Sequence, residues 1–183
     1  YLQRAKDAKP DALFVFLLAG GVSAQFLKQV DAASIQKGGI KIISTGDLVS
    51  ENNLPQMGDP ALGVVSTFHY SSVHNSALNR QYQSEAMAIT HGNPYPSFAG
   101  CAMWDILAAT YRLLAAQNGN WDADKVMALL KTYKAESPRG PIAIDADTRD
   151  IIQNVYVRRV EKRNGQLVNV EFETFPMVKS LEK

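Results

Sequence analysis

The sequence predicts an α/β fold carrying a parallel sheet, on three observations. Ala12–Ala19 (ALFVFLLA) is an unbroken apolar run. It is far shorter than the roughly 20 residues that span a bilayer, so it reads as a strand buried on both faces of a parallel sheet. A helix-period stretch, Val22–Ala33, and a second short strand, Ile40–Ser44, come next. Strand, helix and strand at this spacing form a βαβ unit with a right-handed crossover. Near the other end, IIQNVYVRRV and QLVNVEF alternate apolar and polar residues around Arg163-Asn164-Gly165-Gln166, a β-hairpin signature.

The remaining elements follow in order. Leu2–Lys9 is the end of an amphipathic helix stopped by Pro10. Asp11–Leu18 is the first strand and Ala19-Gly20-Gly21 its exit turn. The helix after it places Val22, Phe26, Leu27 and Val30 on one face, and Gly38-Gly39 breaks the chain before the second strand. Ser50–Met57 supplies one or two helical turns, and Leu62–Tyr70 is a third strand. Ser76–Thr90 is a helix ended by Gly92 and the turn Asn93-Pro94-Tyr95-Pro96. Ser97 caps a long apolar helix to Ala116, in which Trp104 and Tyr111 fall at core spacing. Asp122–Ala135 is a further helix with Ala123, Val126, Leu129 and Leu130 inward. Ser137–Asp145 is a Pro/Gly-bracketed turn running into a strand, and Pro176–Lys183 is a polar tail. The chain opens already inside a helix, which reads as the C-terminal part of something longer.

Composition excludes several function classes. With 183 residues and 46% hydrophobic content the chain can build a globular core. Its 19 basic and 18 acidic residues leave a net charge of +1, too little to favour nucleic acid or an anionic membrane. A single cysteine, Cys101, rules out an internal disulfide framework and reads as a small buried filler.

In open parallel sheets, ligands bind beyond the carboxyl ends of the strands, where helix N-termini and loop amides converge. Three loops carry that signature. Ala19-Gly20-Gly21 lets a ligand approach the backbone and offers helix amides to a carboxylate; a tight turn is the plainer reading. In Thr45-Gly46-Asp47-Leu48, Asp47 can receive an ammonium or hydroxyl, or can cap the next helical turn. In Pro96-Ser97-Phe98-Ala99, Phe98 is either an apolar ligand contact or plain core. Sharper chemistry fails. Gly21-Val22-Ser23-Ala24-Gln25 lacks the closing glycine of a nucleophile elbow, and AGGVSA is not a dinucleotide fingerprint. His69, His74 and His91 have no metal-ligand spacing, and Asp145–Asp150 lacks the glycine and glutamate of a calcium loop. No catalytic residue, metal or cofactor is assigned.

The ordered string SPRGPIAIDADTRDIIQNVYVRRVEKRNGQLVNVEFETF resembles the C-terminal segment of type 1 periplasmic solute-binding proteins that feed branched-chain amino acid ABC transporters. LQRAKDAKPDALFVF, GIKIISTGD and MGDPALGVVSTFHYS extend the resemblance over nearly the whole chain. It implies a non-enzymatic receptor with two Rossmann-like lobes and parallel sheets. Residues 1–70 and 152–183 would belong to the second lobe and the mostly helical 71–151 to the first. It further implies a periplasmic location, with a signal peptide upstream, and a small solute bound between lobes that close about a hinge. The closed form would then dock on a membrane permease.

By the same resemblance Ala19, Gly20, Gly21, Asp47, Leu48 and Phe98 line the ligand site. A branched-chain or other hydrophobic amino acid is the first expectation for the ligand. An aromatic or other small carboxylate is the alternative, because this chain has Asp47 where those relatives carry Glu and Ala19 where they carry a bulkier aromatic residue. A cytoplasmic effector-sensing domain of a regulator and an α/β enzyme are the rival classes. Exposed sheet edges in a shortened chain would also invite self-association.

Overall fold

The computed structural model describes residues 1–91 and 96–180, which divide into two compact units. One unit contains Tyr1–Val73 and Tyr156–Glu173, the other His74–Val155 and Thr174–Lys183. The chain therefore passes between the units three times.

In the first unit, helix α1 (Leu2–Ala8) ends at Lys9, whose φ of 46° is left-handed, just before Pro10. Strand β1 (Ala12–Val15) leads through a loop to helix α2 (Gly21–Ala32) and then to strand β2 (Lys41–Thr45), which lies parallel to β1 with Ala12 opposite Lys41. A 3₁₀ turn at Glu51–Asn53 runs into the short helix α3 (Leu54–Met57), and strand β3 (Val65–Phe68) adds in parallel to β2. The expected βαβ pattern is present.

α2 packs Ala24, Leu27 and Val30 into a core with Val15, Ile35, Ile42, Leu48, Val49, Leu54 and Val64. Burying each large aliphatic side chain contributes about 1.5–3 kcal/mol. Two expectations fail here for one reason. β1 is not buried on both faces, since Phe14 is 65% exposed beside its register partner Ile43, and Val22 on α2 is also exposed. β1 is the edge strand, and α2 covers only the face that carries Val15.

The second unit begins with helix α4 (Ala77–Ile89), capped by Ser76, whose Oγ accepts from the Asn79 amide at 3.0 Å. The expected stop at Gly92 and the turn Asn93–Tyr95 lie outside the described residues. Helix α5 (Phe98–Ala115) starts where Ser97 Oγ accepts from the Gly100 amide at 3.1 Å, and helix α6 (Ala123–Leu130) is capped by Asp122. α6 stops five residues short of the expected Ala135. Lys134–Ser137 forms strand β4, antiparallel to β5 (Gly140–Ile144) across Pro138-Arg139. Pairing with β5 across this two-residue turn outweighs the modest helical propensity of the segment. Leu129 is correspondingly exposed rather than inward.

Two long strands complete both units. β6 (Ile151–Arg163) pairs antiparallel with β5 through Ile151–Gln153 and with β3 through Tyr156–Arg159. β7 (Gln166–Val178) pairs with β6 across Asn164-Gly165, both at positive φ (50° and 82°), as a two-residue hairpin requires. β7 replaces the first residues of the expected polar tail. Met177 donates its amide to Asn154 Oδ1 at 3.0 Å, and the Lys179 ammonium lies 2.6 Å from Asp145, so residues from Thr174 onward group with the second unit. Among the described residues no helix is long and apolar enough to cross a membrane.

Candidate functional site

Because β1, β2 and β3 are parallel neighbours, their carboxyl ends deliver three consecutive loops to one edge of the first unit. That edge is where backbone amides converge in open sheets.

After β1, Gly20 takes φ 133°, ψ −163°, a conformation open only to glycine, and serves as N-cap of α2 with no side-chain cap. Ser23 Oγ donates to the Leu18 carbonyl at 2.6 Å and so fixes the loop to the first turn of the helix. A Cβ added at Gly20 or Gly21 would meet nothing within 4 Å. Of the first-turn amides of this 12-residue helix, those of Ser23 and Ala24 already donate to the Gly20 carbonyl, which leaves those of Gly21 and Val22, beside the exposed Ala19, for an anionic ligand.

After β2, the Gly46 amide donates to the Thr67 carbonyl at 3.0 Å, and the Phe68 ring lies where a side chain would stand. A Cβ at Gly46 would fall 2.2 Å from Phe68 Cγ. Asp47 is half-buried, and its carboxylate accepts no hydrogen bond from the described residues. It does not cap the following turn, whose N-cap is Ser50. Leu48, expected to line the site, is instead fully buried in the core and anchors the loop from below.

After β3 come Phe68 and His69, with ring centroids 4.3 Å apart. Neither was nominated from sequence. The strand-end rule that selected the first two loops also reaches the third and would have found them.

Phe98 belongs to the second unit, partly buried as the first residue of α5. Beneath it the Tyr82 hydroxyl donates to the Ser97 carbonyl at 3.0 Å and fills the space a side chain at Gly100 would need. Trp104 packs edge-on against Tyr82, at 5.7 Å between centroids. Tyr111, expected in the core, is 67% exposed. With Ile89, Met103 and Leu107 it borders an apolar groove of about 600 Å³ between α4 and α5. Deeper in this unit Arg139 Nε and Nη2 bond Asp105 Oδ2 at 2.9 and 2.7 Å. Cys101 lies beside that pair, its thiol pushed up to about 12 mainly by burial and secondarily by the Asp105 charge. Among the described residues no three His, Cys, Asp or Glu side chains come together as a metal site would require.

Residues 1–166 match the family model described as periplasmic binding protein. The chain is 38% identical over 176 residues to the Leu/Ile/Val-binding protein homolog 6 of Brucella melitensis, covering 95% of this chain and 45% of that protein. A solute-binding protein of an ABC transporter from Rhodopseudomonas palustris BisB5, solved with 3,4-dihydroxybenzoic acid, matches with 44% identity and a TM-score of 0.88. That match covers 97% of this chain and 48% of the other. The corresponding protein of R. palustris HaA2, solved with p-hydroxybenzoic acid, gives 39% identity and a TM-score of 0.86 over 96% of this chain and 48% of its own. The chain spans about half the length of the relatives it matches. Motif order, fold and family match all agree: the chain belongs to the periplasmic binding protein family.

Proposed function

We propose that this chain is part of the extracytoplasmic solute receptor of an ABC importer, and that its solute is a small aromatic carboxylate of the hydroxybenzoate class. The observation that carries this reading is the 44% identity to a receptor solved with 3,4-dihydroxybenzoic acid. The strand-end loops supply chemistry that fits. The uncapped amides of α2 receive the ligand carboxylate, with Gly20 and Gly21 leaving room for it. Asp47, without an internal donor, accepts from a ring hydroxyl. Ala19 leaves space for a flat ring. Binding is non-covalent, so no residue needs a catalytic role. Delivery to a membrane permease completes the proposed cycle.

A branched-chain amino acid is the second reading, favoured by the name of the Brucella relative. In that case Asp47 would pair with the ligand's ammonium.

A thermal-shift panel with 4-hydroxybenzoate, 3,4-dihydroxybenzoate, leucine and phenylalanine separates the two. Ligand at about 100 times its Kd adds about 2.7 kcal/mol, which for a chain of this size is about 5–11 °C in Tm. A shift with the benzoates alone supports the first reading, and a shift with leucine alone overturns it. Asp47→Asn should weaken leucine strongly, because the ammonium loses its counter-charge, and 4-hydroxybenzoate only modestly, because the Asn carbonyl still accepts from the ring hydroxyl; Phe98→Ala, measured beside it, tests the Phe98 contact.

A further inference from the structure

Arg158 is completely buried in the first unit, on β6 just past the point where that strand enters it. Its Nη1 donates to Glu51 Oε1 at 2.9 Å and to the Tyr70 carbonyl, and its Nη2 donates to Ser66 Oγ at 3.2 Å. The guanidinium carbon also lies 5.0 Å from the centroid of Phe68, the ring that occupies the space above Gly46. Asn169 on β7, equally buried, donates from Nδ2 to Val49 O at 2.8 Å and to Glu51 Oε1 at 3.1 Å. Its own carbonyl accepts from Ser71 Oγ at 2.5 Å.

Stability does not account for this cluster. Glu51 Oε2, Arg158 Nε and Asn169 Oδ1 are buried with no hydrogen-bond partner among the described residues. A buried ion pair that is only partly satisfied is commonly no more stable than well-packed apolar residues in its place. Its distinguishing property is its position. Tyr70 and Ser71, Arg158, and Asn169 sit on the first, second and third of the three segments that pass between the units. Glu51, Val49 and Phe68 hold the Thr45–Leu48 loop on either side.

We infer that the Glu51–Arg158–Asn169 cluster is a positioning node that ties the Asp47 loop to all three connecting segments, so that order imposed on the loop is felt in those segments. That the loop touches a ligand rests on the function proposed above; the tie itself does not.

Amide hydrogen exchange on the protein tests it, with Asn169→Ala as the main variant and Ser71→Ala, which removes the bond to the Asn169 carbonyl and the one accepted from the Val73 amide, as the variant least able to unfold the chain. Without ligand, Asn169→Ala should lower protection about tenfold, equivalent to about 1.4 kcal/mol, in both 45–51 and 70–73. Peptides from α2 should not change. Ser71→Ala should lower protection more weakly at 45–51, the window that decides for this variant because the Val73 amide loses its own acceptor at 70–73. Loss confined to the residues around 169, or spread evenly over the chain, overturns the inference; if Asn169→Ala does not fold, Ser71→Ala decides by the same criterion. With 4-hydroxybenzoate, wild type should gain protection at 45–51, 70–73 and 170–174, and Asn169→Ala at 45–51 alone. An equal gain at 70–73 in the variant overturns the coupling. A wild type that ignores the benzoate everywhere defeats the ligand assignment, while the ligand-free comparison still decides the node.

Discussion

Gly46→Ala is the most informative single change, because its effect can be worked from one distance. The added methyl would sit 2.2 Å from Phe68 Cγ and 2.4 Å from Cδ2, far inside van der Waals contact. Gly46 is not among the residues at positive φ, so backbone strain is not the issue. Either the ring or the loop must move. Phe68 is held by β3 and lies under the Arg158 guanidinium, which is itself tied to Glu51 and Ser66. Overpacking of this kind costs about 1–3 kcal/mol, and displacing the ring from a desolvated guanidinium adds up to about 2. The sum, about 1–5 kcal/mol, should appear in urea denaturation as a lower midpoint with an unchanged slope. A loss below about 0.5 kcal/mol would refute the steric argument. The cause can be checked independently. In a Phe68→Gly background, which also removes the Cβ that lies 2.5 Å from the added methyl, the same substitution has room, and its penalty should largely vanish. An equal penalty in both backgrounds would mean that the ring is not what excludes a side chain at position 46.

Leu27→Ala should destabilise by about 2–5 kcal/mol, since Leu27 is fully buried at the centre of the α2–sheet core; a loss under 1 kcal/mol by denaturant titration would contradict that packing. Cys101 should resist a thiol reagent at pH 8 and react only as fast as the chain opens, because burial and the Asp105 charge hold its thiol near 12; rapid native labelling would refute this. The Asp145 carboxylate is held down to about 2, first by the hydrogen bond from Lys179 and then by the amides of Asp147 and Thr148. A lowered carboxylate pKa contributes stability above its unfolded value, near 3.9, that is lost as pH falls toward 2. Asp145→Asn should therefore flatten the fall of Tm between about pH 4 and pH 2, and an unchanged acid limb would show that the pair is not coupled to folding.

The sequence disclosed those parts of the fold that local chemistry decides. Asn164-Gly165 fixes a two-residue turn because both positions need positive φ; Ser97 was readable as a cap, and Ser76 and Asp122 as helix starts, from short polar side chains ahead of apolar periods. The errors lie where pairing and packing partners decide, whether near in the chain or far. Lys134–Ser137 has no strand signature of its own and becomes β4 only through β5. Phe14 and Tyr111 match core periodicity, and whether such a residue is covered depends on what packs over it, which periodicity does not encode. Arg158 stands with Arg159, Lys162 and Arg163 in a basic cluster on a strand and turn, a pattern that ordinarily marks an exposed face. It is instead the largest fully buried side chain among the described residues, because Glu51, 107 residues earlier in the chain, reaches it.

The same division explains why family was easier to read than ligand. Family rests on many elements in order, and each loop or strand adds evidence even when one is misjudged. In the proposed site a ligand would be selected by a few atoms at the ends of strands that are separate in sequence and adjacent only in the sheet: amides at Gly21, a carboxylate at Asp47, rings at Phe68 and His69. Two departures from the amino-acid binders, Ala19 and Asp47, were visible, and both favour a flat carboxylate over an α-amino acid. What the sequence did not display is that Asp47 stands in a loop whose other side chains point elsewhere, Leu48 into the core and Ser50 to Asn52 Oδ1. That leaves one carboxylate without an internal donor beside one uncapped helix end. A ligand bearing both an anion and a hydrogen-bond donor answers both groups. A hydroxybenzoate does so with no ammonium, which is why the response of Asp47→Asn to leucine and to 4-hydroxybenzoate discriminates where affinity for either alone would not.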